Sequence, residues 1–162
     1  MALFGRGRYN DACSAFTRAY KRSLKDLGQK SLNTEERRHH DMKLSIFLNN
    51  LGCAQYKSGK LKASHDSFTK AFEIQNLWLH QGTTTTVGNS SSLSPLALSA
   101  ISKHKTQSVT NITTTLCNIG QVYIRRDENE KAIFVFEEAL KVKEEYKQQL
   151  MIMLFIKIGS FA

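Results

Sequence analysis

The chain has 162 residues, 41% hydrophobic and 23% charged, with 23 Lys and Arg against 14 Asp and Glu, a net charge of +9. That length allows one compact domain, and no stretch approaches the roughly 20 apolar residues needed to cross a bilayer. Three cysteines, an odd number without C-x-x-C spacing, argue against a disulfide framework or a zinc module.

In chain order, a helix is predicted from Tyr9 to Leu27, closed by Gly28. Asn33 with Glu36 reads as a capping box, opening a helix from Thr34 through Tyr56 that stops at Ser58-Gly59. Lys60 starts the next, which runs to about Leu79. Residues 81–94 are rich in Thr, Ser and Gly and carry no helical stripe. They read as a low-complexity insertion, and the alternative is a degenerate repeat hidden there. Ser94-Pro95 suits the first turn of a short helix, and a longer one resumes by Ser108 and ends at Arg126. Asp127 with Glu130 reads as a second capping box, for a helix to about Tyr146. A last helix is predicted from about Gln148. Nothing alternates with period two, so the predicted fold class is all-α.

One pattern is written twice in full. Leu51-Gly52 is followed by Tyr56, Ser64, Phe68 and Ala71; Ile119-Gly120 is followed by Tyr123, Ala132, Phe136 and Ala139. The offsets agree except at the Tyr, which slips by one place. Partial copies stand at Tyr9, Ala12, Phe16 and Ala19, and at Phe155, Ile158 and Gly159. Self-similarity of this kind marks a repeat array. The glycine lets a partner helix come close, the small residue keeps it there, and the Phe fills the space between layers. Each unit is then an antiparallel helix pair that buries its apolar face only by stacking on a neighbour.

These residues resemble the tetratricopeptide repeat, as Leu48-x2-Leu51-Gly52 with Ser64-x3-Phe68, and as Leu116-x2-Ile119-Gly120-x2-Tyr123 with Ala132-x3-Phe136. Departures are Leu48 and Leu116 where Trp is usual, Ser64 in place of Ala, and no closing Pro in either unit. The resemblance implies a helix-turn-helix solenoid whose first helices line a concave peptide-binding groove. It divides the chain into a partial repeat at 1–28, repeats at 34–80 and 108–146, and a partial repeat at 148–162. Both ends are expected to fall inside a repeat, as in a fragment of a longer array. Gly52 and Gly120 lie 68 positions apart (120 − 52), about twice the family period of ~34. From Gly120 to Gly159 the step is 39 (159 − 120), closer to the longer repeats of kinesin light chain-like arrays.

The groove lining implied by the resemblance is Asn49, Asn50, Cys53, Tyr56 and Lys57 in one unit, Cys117, Asn118, Gln121 and Arg125 in the next, and Lys157 beyond. Asn50 and Asn118 stand where the family often carries an Asn that bonds an extended peptide, since an amide both donates and accepts. The alternative is that these asparagines tie adjacent helices together. Lys57 and Arg125 favour acidic side chains.

No Gly-rich phosphate loop, nucleophile elbow or His-x-x-x-His helix is present, so the chain is not expected to be an enzyme or to hold a metal or cofactor. The five histidines are scattered and read as solvated. Residues 1–62 hold 13 Lys and Arg against 5 Asp and Glu, and residues 106–162 hold 7 of each. A one-sided positive field favours acidic partners. The function expected is a non-catalytic protein-interaction scaffold that binds a partner segment of acidic character. The alternative is a nucleic-acid-associated helical repeat acting through the basic N-terminal third, which lacks aromatic platforms or a recognition motif. Self-association through the apolar closing segment 150–156 is a further expectation. No secretory signal is recognised, so a cytoplasmic protein is expected.

Overall fold

The structure, a computed structural model, describes residues 6–28, 33–84 and 95–159. These form helices α1 (Tyr9–Gly28), α2 (Thr34–Lys57), α3 (Leu61–Thr84), α4 (Pro95–Ile124) and α5 (Asn129–Gly159), with no strand among the described residues. Packing follows chain order: α1 on α2, α2 on α3, α3 on α4 and α4 on α5, with a lighter touch between α2 and α4. The molecule is therefore an all-α, helix-turn-helix repeat solenoid.

The repeated residues hold each pair together. A Cβ placed on Gly52 would lie 2.6 Å from the Phe68 ring, and one on Gly120 would lie 2.5 Å from Phe136. Only a bare backbone admits the ring at that distance. Ser64, standing where the second unit carries Ala132, is fully buried and its hydroxyl donates to the Gly52 carbonyl at 2.8 Å. Serine keeps the Cβ that alanine presents at this place and adds a bond to an otherwise surplus acceptor lone pair.

Two apolar clusters follow. Phe68, Ile119 and Val122 form one, and Ile112, Leu116 and Ala139 the other, with Phe72 and Val135 packed against both. The first half of α2 is tied by polar contacts instead. Trp78 Nε1 donates to Asp41 Oδ2 at 3.2 Å, and Arg37 pairs with the same carboxylate. Gln75 donates to Ser45, and His40 bonds Ser23 of α1.

The α2–α3 and α4–α5 turns have one geometry. Gly59 sits at φ +79, with Gly59 N–H donating to Tyr56 and Lys60 N–H to Gln55. Asp127, at φ +56, repeats this with bonds to Ile124 and, from Glu128, to Tyr123. These are Schellman turns, in which a left-handed residue closes the helix and satisfies its last carbonyls.

The predicted elements are corrected at several boundaries. Asn33 and Glu36 do form a reciprocal capping box. Asp127 does not open a box with Glu130, because it is consumed in the turn that ends α4. Glu128 takes the flanking place, paired with Lys131 and Arg126. A hydrogen bond from Lys131 holds its carboxyl below the ordinary range, with Arg126 adding to the effect. Helix α3 continues past Leu79 into the expected insertion as far as Thr84, and residues 85–94 lie outside the described residues. Helix α4 starts at Pro95 and runs without the expected break before Ser108. Helix α5 likewise continues through 146–148 to Gly159. Lys147, Gln148, Gln149 and Leu150 are good helix formers with no Gly or Pro among them, so nothing stops the helix there. The 39-residue step to Gly159 thus ends the same helix that carries Phe136 rather than opening a new one.

Candidate functional site, the row of first helices

Apart from Arg125, just past the end of α4, and Lys157 on α5, the expected groove residues lie on α2 and α4, the first helices of the two full units, and the structure brings five of them together. Asn118 Nδ2 donates to Asn49 Oδ1 at 3.2 Å and lies 3.9 Å from Cys53 Sγ. About two turns further on, just past the end of α4, Arg125 Nη1 donates to the Tyr56 carbonyl at 3.1 Å, and its guanidinium lies 4.8 Å above the Tyr56 ring. These contacts make up much of the α2–α4 seam. Stacking of a guanidinium on an aromatic face adds a contact that Lys does not reproduce as well.

Asn49, Asn50, Cys53, Tyr56, Cys117 and Asn118 are half-buried, whereas Lys57, Gln121 and Arg125 are exposed. Asn50 stands at the offset of Asn118, yet among the described residues it makes no such bond. Asn118 meets α2, a first helix; the element before α2 is α1, whose Ala12 and Phe16 mark it as a second helix. Asn50 thus faces no equivalent of Asn49. The side chain of Lys157 lies outside the described residues.

The asparagine pair leaves capacity unused. An amide offers two donor hydrogens and an oxygen with two lone pairs. The Asn49–Asn118 bond uses one hydrogen of Asn118 and one lone pair of Asn49, which also accepts from Thr115 Oγ1 at 3.4 Å. Burial pushes the Cys53 thiol up from its ordinary range, more than nearby Lys57 lowers it. At neutral pH it is therefore protonated, a small apolar group with a weak donor.

Sequence reasoning missed Thr115, whose buried hydroxyl also back-bonds to the Asn111 carbonyl at 2.9 Å. It misread two histidines as solvated. His40 is half-buried against Ser23, and His65 bonds the Tyr123 hydroxyl at 2.9 Å with the rings edge-on, 5.1 Å between centroids. Only His39 of the adjacent His39-His40 pair is exposed. The signal for His65 was available: it follows the small residue of one repeat and so faces the Tyr of the next.

Among the described residues no His, Cys, Asp and Glu group could hold a metal ion, and no helix is long and apolar enough to cross a membrane. Residues 113–146 match the tetratricopeptide repeat family model. The match covers the second half of α4, the Asp127 turn and the first half of α5. No curated protein and no solved structure matches the chain. Residues 113–146 thus carry a tetratricopeptide repeat, a module that in general serves protein-interaction scaffolds.

Proposed function

We infer that this chain is a non-catalytic scaffold that binds an extended segment of a partner protein along the α2–α4 row, in the cytoplasm. The observation that carries the reading is the half-buried Asn49–Asn118 pair, which retains one amide NH2 and one amide oxygen for a peptide backbone. Lys57 lies exposed at one end of the row and favours acidic side chains in the bound segment. Arg125, held on Tyr56, adds positive charge at the same end.

The test compares wild type with Asn50→Ala/Asn118→Ala, after circular dichroism has shown equal helicity, by affinity retention from matched cell lysate at near-physiological salt. A discrete protein kept by wild type and lost by the variant supports the groove. Equal retention of nuclease-sensitive material contradicts it and moves binding to the basic face of α1, where phosphate contacts fall steeply with salt.

Self-association through α5 belongs to the same proposal: in the expected segment 150–156, Met151 and Ile152 are exposed and the side chains of 153–156 lie outside the described residues. Ile133 and Leu140 are 59% and 63% exposed on α5, and they stand 68 positions after His65 and Phe72, which meet α4. A second copy of the chain laid on α5 in this manner gives a dimer. Sedimentation of wild type as a dimer and of Ile133→Glu/Leu140→Glu as a monomer supports it; a monomeric wild type refutes it.

A further inference from the structure

The two junctions at which a second helix meets the next first helix are built alike, but one is missing its filling. At the α3–α4 junction His65, directly after the small residue Ser64, meets Tyr123, three residues after Gly120. At the α1–α2 junction the same offsets fall on Cys13, directly after Ala12, and on Gln55, three residues after Gly52. Neither carries a ring. The aromatic residue of the first full unit is displaced by one position, to Tyr56, which turns away toward Arg125.

An open groove lies where the ring pair is absent. It is lined by Asn10, Cys13, Ser14, Thr17 and Arg18 of α1, by Gln55, and by Lys60 in the turn before α3. The edges are cationic. Arg18 is exposed, with no ion-pair partner among the described residues, and Lys60 spends one donor on Asn10 at 3.0 Å. Lys60 stands where the other junction has the acidic Glu128, so the electrostatic sign of this edge is inverted as well. Residues 1–62 carry most of the net positive charge, which reinforces the local field.

We propose that the α1–α2 groove is a second binding site, one that accepts an aromatic side chain from a partner peptide with carboxylates flanking the ring. The ring takes the volume that Tyr123 fills one repeat later. The carboxylates meet Arg18 and Lys60, while Thr17 offers its hydroxyl to the peptide backbone or a phenolic oxygen, and Ser14, whose proton goes to the Asn10 carbonyl at 3.1 Å, offers an acceptor oxygen. The site is separate from the α2–α4 row and does not depend on Asn118.

The experiment titrates the isotope-labelled chain with a blocked Glu-Asp-Tyr-Glu-Asp peptide and follows backbone amide shifts. Saturable shifts are expected at Cys13, Thr17 and Gln55, with ~tenfold weaker binding when the peptide Tyr is replaced by Ala. Cys13→His/Gln55→Tyr copies the other junction and closes the groove from within, so binding should vanish although helicity is kept. Arg18→Glu should weaken binding ~tenfold and decides the matter if the double variant fails to fold. Asn118→Ala should leave the titration unchanged. Absence of shifts at these amides, equal binding of the Ala peptide, or full binding by the folded groove-closing variant overturns the proposal. So does loss of binding in Asn118→Ala, which assigns the peptide to the α2–α4 row, or displacement by a single-stranded oligonucleotide.

Discussion

Gly52 and Gly120 each give up a Cβ so that a phenylalanine ring can rest on helix backbone. Restoring that carbon forces the ring of Phe68 or Phe136 outward in a packed core. Gly52→Ala and Gly120→Ala should therefore each destabilise the fold by ~1–3 kcal/mol in chemical denaturation, although Ala is the better helix former. A gain in stability would mean that the close approach is not sustained in solution. Asp127 poses the opposite case: it holds a left-handed backbone that Gly59 adopts freely in the sister turn. Asp127→Gly should stabilise by ~0.5–1 kcal/mol, and Gly59→Ala should cost ~1 kcal/mol, read as opposite shifts of the unfolding midpoint. The Cys53 thiol, raised by burial, should alkylate more slowly than free cysteine at neutral pH in peptide-resolved mass spectrometry. Faster reaction would contradict the packing of the α2–α4 seam.

At the scale of single helices, the stripes that define each pair were legible, because Ser64-x3-Phe68 and Ala132-x3-Phe136 recur at helical spacing and nothing competes with them. The Asn33–Glu36 box was legible for the same reason: both side chains act within one turn. Asn33→Ala should cost ~1 kcal/mol, with fraying of the first turn of α2 seen by hydrogen exchange. The Asp127–Glu130 box was misread, since residue type does not tell whether an Asp ends one helix or opens the next. That choice is made by the turn, where the carbonyls of Tyr123 and Ile124 already claim the following amides. Helix ends were the least legible. Gly82, Thr83 and Thr84 read as a breaker, yet α3 extends through them once its face is packed on α2 and α4. The extension of α5 past Tyr146 reflects the absence of any stop signal, which a repeat template alone had supplied.

Across the molecule, a 68-residue offset links the two full helix pairs, Gly to Phe and turn to turn, whereas the small residues of the second helices α1 and α3, Ala12 and Ser64, stand 52 apart (64 − 12). The row of candidate residues was partly legible. Asn49, Cys53, Tyr56, Asn118 and Arg125 do meet, but in pairs across the α2–α4 seam that a single-helix face cannot disclose. Asn118 bonding Asn49 rather than matching Asn50 follows from which helix lies on each side, a property of the stack. The basic N-terminal third, by contrast, is a property of composition and does not choose between a peptide and a phosphate backbone. Position does. Cross-linking mass spectrometry on the retained partner, with a lysine-reactive reagent, tests the central claim most directly. Cross-links concentrated at Lys57, and lost in Asn50→Ala/Asn118→Ala, are the result predicted for a scaffold that binds along its first helices. Cross-links confined to Lys21 and Lys25 of α1, unchanged in that variant, would contradict it.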